Sequence, residues 1–222
     1  MLAAAVFDMD GLLVDSEPLW RRAERSIFPR LGIELTDEMC MQTMGTRVNE
    51  VVLHWYRQKP WEGPACPEVA EEIVAAVIAL VRSEGRPMDG VREVLDLCRQ
   101  RGLRTALASS SDMCLIDAVL ERFGIRDCFD VVHSAEHEPY GKPHPGVFLT
   151  TAERLGVEPP CCLVFEDSFA GLIAAKAARM PVVAVPSPHD FDQPRFGIAD
   201  LKLRSLREFD AACLDRLLAR IP

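Results

Sequence analysis

The chain has 222 residues, with 34 acidic against 25 basic side chains and a formal charge of −9. That balance argues against a nucleic-acid or anionic-membrane surface, which needs clustered Lys and Arg. With 49% hydrophobic and 27% charged residues, the chain can bury a core, and its length suits one large domain or one domain carrying an insertion.

In chain order, the first apolar run is Leu2–Phe7, which stops abruptly at Asp8. It lacks the basic segment and small-residue cleavage site of a signal peptide. From about Ser16 to Glu84 no strand is evident. Apolar residues recur there at helical spacing through Leu19–Leu31, Val48–Tyr56 and Val69–Val81, with punctuation at Pro60, Gly63, Pro64 and Pro67. The longest wholly apolar run, Ile73 to Val81, falls far short of the roughly 20 residues of a membrane span. Beyond the interval, apolar runs at Leu103–Ala108, Val131-Val132, Leu163–Phe165 and Val182–Val185 alternate with helical patterns at Val91–Arg101, Asp112–Phe123, Pro145–Leu155 and Ser168–Arg179. Continuous apolar runs suit strands buried on both faces of a parallel sheet. Glycines after the helical patterns and Ser168 before one mark their ends, and Ser111 or Asp112 is expected to cap another. The tail from Leu201 reads as a last strand and helix.

The expected class is therefore α/β: a doubly wound, Rossmann-like parallel sheet with an inserted helical subdomain. The bounds are 1–15 and 85–222 for the core and 16–84 for the insert. The eight cysteines, at 40, 66, 98, 114, 128, 161, 162 and 213, contain no C-x-x-C pair. They read as reduced thiols of a soluble cytoplasmic protein. His133, His137, His144 and His189 lack metal-type spacing and read as surface or turn residues. His54-Trp55-Tyr56 reads as the packed face of a helix of the insert.

Ligands of open α/β sheets bind beyond the carboxyl ends of the strands. The residues there are Asp8-Met9-Asp10-Gly11, Ser109-Ser110-Ser111-Asp112, Gly141-Lys142-Pro143-His144-Pro145 and Glu166-Asp167-Ser168. Acids, hydroxyls and one lysine thus converge on one edge. In that order, V-F-D-M-D-G, L-A-S-S-S, G-K-P-H-P and F-E-D-S resemble the four motifs of the haloacid dehalogenase superfamily of aspartate-dependent phosphatases. The insert after the first motif resembles that superfamily's helical cap.

The resemblance implies Asp8 as a nucleophile that becomes transiently phosphorylated, and Asp10 as general acid and base. A carboxylate is ionised at pH 7 and attacks phosphorus without a partner base, splitting one hard hydrolysis into two easier steps. A phosphate dianion near that carboxylate meets repulsion of roughly 4 kcal/mol per charge pair at about 4 Å in an effective dielectric of 20, so positive charge has to offset it. The resemblance implies Mg2+ held by the Asp8 carboxylate, the Asp10 main-chain carbonyl and the Asp167 carboxylate, with Glu166 orienting a metal-bound water. Ligand type also permits Mn2+ or Co2+. Lys142 would bridge the phosphoryl group and Asp8, and Ser109 and Ser110 would donate hydrogen bonds to phosphoryl oxygens. Dehalogenases do not carry the second aspartate, so Asp10 favours phosphate chemistry.

Substrate choice falls to the cap. The candidates are Glu17, Trp20, Met44, Thr46 and Arg47. Trp20 stands where many sugar-phosphate relatives carry a histidine, and its indole could pack on a polyol or belong to the cap core. Arg47 could bind hydroxyls or a second phosphate, or form a surface ion pair. D-S-E-P-L-W and L-H-W-Y-R-Q-K-P-W-E-G-P resemble bacterial 2-deoxyglucose-6-phosphate and hexitol-phosphate phosphatases. The expectation is a phosphatase of hexose or hexitol phosphates, with a small-molecule phosphate ester as partner and a monomer as the default state. A β-phosphoglucomutase-like transferase, a phosphoglycolate-type phosphatase and a non-catalytic binding protein are the alternatives. Hinges are expected near Val14–Ser16 and Glu84–Met88.

Overall fold

The computed structural model describes residues 2–219. The outermost ends of the expected core, residue 1 and residues 220–222, lie outside them. The chain runs β1 (Ala4–Phe7), α1 (Glu17–Ile27), α2 (Asp37–Gln42), α3 (Val48–Gln58), α4 (Cys66–Glu84), α5 (Val91–Gln100), β2 (Arg104–Ser109), α6 (Met113–Phe123), β3 (Val131–Ser134), α7 (Gly146–Leu155), β4 (Cys162–Glu166), α8 (Phe169–Ala177), β5 (Val182–Ala184), β6 (Leu201–Lys202) and α9 (Ala211–Leu218). The strands form one parallel sheet of order β3-β2-β1-β4-β5-β6. This is the doubly wound arrangement expected from the alternation of apolar runs and helical patterns.

Side chains alternate across each strand, and both faces are buried. Ala5 and Phe7 of β1, Leu107 of β2, and Leu163 and Phe165 of β4 share one hydrophobic cluster with α5, α6 and α9. Ala4, Val6, Ala106, Ala108, Cys162 and Val164 face α7 and α8. No polar face remains on the central strands, which is why they read as unbroken apolar runs.

The interval 16–84 holds α1–α4 and no strand. Helix α4 packs against α1 and α3 and also against α6, and Trp55 is buried in α3. The two crossings between this helical layer and the sheet pair with each other. Asp15 N–H donates to Arg86 O at 3.0 Å, and Met88 N–H donates to Leu13 O at 3.0 Å.

Three readings change. Helix α2 is absent from the sequence expectation. Its six residues are too short to display a period, although Thr36 caps it by accepting from Met39 N–H at 3.3 Å. His133 is not a surface residue. It is fully buried in β3, with its Nε2 2.7 Å from Glu138 Oε1. Neither Ser111 nor Asp112 caps α6 with its side chain, and the Ser111 hydroxyl is spent elsewhere, as described below. All eight cysteines are free. Among the described residues no helix is long and apolar enough to cross a membrane.

Candidate active site

The strand order reverses direction of winding at β1, with β2 on one side and β4 on the other. Loops leaving β1 and β4 diverge there and open a crevice at the carboxyl edge. Asp8 is the first residue past β1, and its N–H still pairs with Phe165 O at 3.0 Å, so the sheet itself sets its position. Its carboxyl is buried and accepts from Lys142 Nζ at 2.5 Å. The same ammonium donates to Glu166 Oε1 at 2.6 Å and to Ala108 O at 3.3 Å, and it lies 4.8 Å from the Phe148 ring centre.

Glu166 closes β4 and is held by the first turn of α8. Its Oε2 accepts from Ser168 N–H at 2.8 Å and from the Ser168 hydroxyl at 3.0 Å. Ser168 in turn caps α8 by accepting from Gly171 N–H at 3.0 Å. Gly171 is required by proximity: a Cβ there would lie 1.6 Å from Glu166 Oε1. A second glycine explains why Asp167 reaches the β1 loop. Gly11 has φ +72°, and a Cβ on it would stand 2.1 Å from Asp167 Oδ2. Both the left-handed backbone and the close approach demand glycine.

Asp8, Glu166 and Asp167 each place one carboxyl oxygen within 4.8 Å of the others. Burial raises the Asp8 pKa to about 8, with Lys142 lowering it and Glu166 and Asp10 raising it. Burial, then Glu166, Asp8 and Glu17, lift Asp167 well above the carboxylate range. For Lys142, burial opposes the charge, but Asp8 and Glu166 outweigh it and raise its pKa. Three buried acids share one ammonium, so two of them are held towards protonation and can ionise together only beside further positive charge. Hard oxygen donors and that need for positive charge fit a small divalent cation.

Asp10 is held more fully than its spacing from Asp8 suggested. Its Oδ1 accepts from the Ser16 hydroxyl at 2.6 Å and from the Trp20 indole N–H at 2.9 Å. Its Oδ2 accepts from the Ser111 hydroxyl at 2.6 Å. Ser16 and Ser111 were not foreseen as site residues. Each stands just before a helix, where a serine reads as a cap; only the fold shows that their hydroxyls turn to Asp10.

Ser109 is buried at the end of β2 and accepts from Ser111 N–H at 3.1 Å, which leaves its hydroxyl proton free. Ser110 lines the cleft, but its hydroxyl donates to Gly45 O at 3.1 Å, across to the helical layer. Glu17, Trp20, Met44 and Thr46 also line the cleft. The Thr46 hydroxyl is turned to Thr43 O at 2.6 Å. Arg47 differs from expectation. It is not part of the cleft wall. Its guanidinium donates to Glu50 Oε1 at 2.5 and 3.0 Å and reaches Ala135 O at 3.4 Å and Glu138 O at 3.1 Å. Its donors are spent on a neighbour in α3 and on the loop after β3. The wall residues that the sequence reading passed over include Arg21, Glu24 and Cys40. The space a water-sized molecule can occupy between these walls is about 60 Å³, well below the roughly 300–1,000 Å³ of small-ligand sites.

The sequence pattern of the haloacid dehalogenase-like hydrolases matches residues 2–179. The chain is 47% identical over 211 residues to hexitol phosphatase B of Escherichia coli strain K12, covering 95% of each protein. It is 32% identical over 186 residues to fructose-1-phosphate phosphatase YqaB of the same organism, covering 82% of this chain and 96% of that protein. Among solved structures, CbbY from Rhodobacter sphaeroides in complex with phosphate aligns with a TM-score of 0.86 at 26% identity, over 97% of this chain and 100% of that one. The β-phosphoglucomutase of Clostridium difficile aligns at 0.85 and 23% identity, over 99% and 98%, a likeness of fold. The family pattern over residues 2–179 and the 47% identity across 95% of both chains make the chain a member of the haloacid dehalogenase-like hydrolases.

Proposed function

We propose that the protein hydrolyses phosphate monoesters of hexitols and hexoses, such as sorbitol 6-phosphate or 2-deoxyglucose 6-phosphate, through a phosphorylated Asp8. The observation that carries this reading is the buried Asp8 carboxyl in contact with Lys142 at 2.5 Å, beside the Glu166 and Asp167 acids. The 47% identity to a protein named for hexitol phosphatase activity supports the substrate class.

In this reading an Asp8 oxygen attacks phosphorus and the bond from phosphorus to the ester oxygen breaks. Asp10 gives its proton to the departing alkoxide. It then takes a proton from the water that attacks the acyl phosphate, which frees inorganic phosphate and restores the Asp8 carboxylate. Ser16, Trp20 and Ser111 hold the Asp10 carboxyl in place; one of these bonds has to lengthen when Asp10 turns to the ester oxygen. Lys142 offsets phosphoryl charge, and the Ser109 hydroxyl donates to a phosphoryl oxygen. Asp8, the Asp10 carbonyl and Asp167 would hold Mg2+, with Glu166 fixing Lys142 and the α8 turn beside it; Mn2+ or Co2+ suits the same donors. Once bound, the cation neutralises the charge that gathers on the phosphoryl oxygens. Residues 16–84 act as a cap that closes over the ester about the paired crossings at 13–15 and 86–88, excluding bulk water.

The test is a panel of phosphate esters assayed with Mg2+ beside Asp8→Asn. The parent is expected to release phosphate fastest from six-carbon polyol or sugar esters and to retain label from 32P-ester after acid quench. Asp8→Asn should lose activity by about 10³-fold or more and retain no label. Phosphoglycolate or a nucleotide outperforming every six-carbon ester would refute the substrate class, and label retained by Asp8→Asn would refute the nucleophile.

A further inference from the structure

Helix α1 turns one face to the cleft. Glu17, Trp20, Arg21 and Glu24 all line it, at the i, i+3, i+4, i+7 spacing of a single helical face. The order along this face is set at its inner end, where the Trp20 indole is tied to Asp10 at 2.9 Å. Glu24 lies one turn beyond Trp20, about 6 Å further along the axis, on the side away from the acids of the sheet edge.

Glu24 is an unusual residue to find there. It is only 6% exposed, and its Oε2 has no hydrogen-bond partner. Its carboxyl is bonded to the Cys40 thiol, a weak donor, and the apolar Val48 and Val51 line the same cleft. Arg21 is the one cation on this face, and the ion pair it forms is with Glu17, at 3.9 Å. A buried carboxyl oxygen left unpaired is costly to the fold. A ligand in the cleft can supply the missing partner. A hydroxyl group meets that need. A phosphate or carboxylate does not, because Glu17 and Glu24 present two acids to one guanidinium already in use.

We propose that Glu24 selects the part of the substrate remote from the phosphate, hydrogen-bonding the hydroxyls of a neutral polyol chain and, with Glu17, turning away esters that carry a second anionic group. This assignment rests on the reading that the ester phosphate sits at Asp8. It disfavours bisphosphates and phosphorylated acids as substrates of this cleft, and it makes α1 the ruler along which the polyol lies.

The experiment compares kcat/KM for sorbitol 6-phosphate, 2-phosphoglycolate and p-nitrophenyl phosphate in the parent, Glu24→Gln and Glu24→Leu, with thermal melts to verify folding. The readout is the ratio between esters. Losing a hydrogen bond to a charged group should lower the preference for sorbitol 6-phosphate over p-nitrophenyl phosphate by about tenfold or more in Glu24→Leu. Relative activity on 2-phosphoglycolate should rise in both variants. Ratios that stay at the parent values in the near-isosteric Glu24→Gln and in Glu24→Leu would overturn the assignment while leaving the phosphatase reading intact. Failure of the parent itself to release phosphate from any of the three esters would instead overturn the reading beneath it.

Discussion

The same Glu24 carboxyl should be visible in stability before any substrate is added. Burial raises its pKa from 4.5 to about 7, with Cys40 and Arg21 offsetting part of the rise. Below pH 4.5 it is protonated in both the folded and the unfolded chain and contributes no pH dependence. Between 4.5 and 7 the folded chain keeps a proton that the unfolded chain has shed, so stability falls as pH rises through this window and stays lower above it. Glu17, raised to about 7 first by burial and then by Asp10, adds a change of the same sign in parent and variant alike. Asp8 and Asp167 add the same sign in both proteins, and Glu24→Gln removes only the Glu24 contribution. Its thermal midpoint should match the parent near pH 4.5 and exceed it at pH 8 by roughly 5 °C, the equivalent of about 2 kcal/mol. Equal midpoints at both pH values would show that the carboxyl is not strained by burial. At this scale the structure gathers Asp8, Ser109, Lys142, Glu166 and Asp167 at the one edge where the four motifs put them. Ser16, Ser111 and Glu24 were not legible in the sequence as site residues. A serine before a helix and a glutamate within one have ordinary local roles, and only the approach of α1 to the loops after β1 and β2 gives them others.

At the scale of elements, the start of α3 is fastened to the loop after β3 by Arg47. Arg47 stands at the start of α3 and donates to the carbonyls of Ala135 and Glu138, and Ser110 reaches Gly45 O from the other side. Bonds from a charged donor contribute roughly 1.5–3 kcal/mol each, enough to bias a cap between closed and open arrangements by tenfold or more. Arg47→Ala should therefore enlarge the radius of gyration of the ligand-free protein in solution scattering and lower kcat/KM severalfold; identical scattering curves for parent and variant would argue against a clamp. The sequence reading left Arg47 between the ligand and an ion pair, because a cationic side chain in an M-G-T-R turn suits either, and the ion pair with Glu50 is what forms. Its remaining nitrogen, Nη1, turns to the loop after β3, 88 residues away. Helix α2 escaped notice for a different reason: six residues make less than two turns, too few for apolar periodicity to emerge.

For the molecule as a whole, the acid cluster makes folding and metal binding a single problem. Asp8 and Asp167 are both pushed towards protonation by burial and by the neighbouring acids. A cation that binds only the folded chain relieves this repulsion. Mg2+ at about 100 times its dissociation constant should stabilise the fold by about 2.7 kcal/mol, a rise of roughly 5–10 °C in the thermal midpoint, reversed by EDTA and absent when both Asp8 and Asp167 are replaced by Asn. A midpoint indifferent to Mg2+ and EDTA would count against a cation at this cluster.

Apolar runs ending in acids, helical spacing between them and four short motifs were sufficient to determine the α/β class, the helical insertion, the family and the residues at the strand ends. Those are local properties: a strand buried on both faces has to be apolar throughout, and a residue at its carboxyl end has to face the crevice. What the tertiary structure decided is how groups far apart in the chain divide their hydrogen bonds. Trp20, Ser16 and Ser111 converge on Asp10, Arg47 turns to the β3 loop, and Glu24 keeps an unpaired oxygen in the cleft. Each of these depends on which helix lies over which strand, and a donor's partner is chosen by that approach in space, to which sequence spacing is blind.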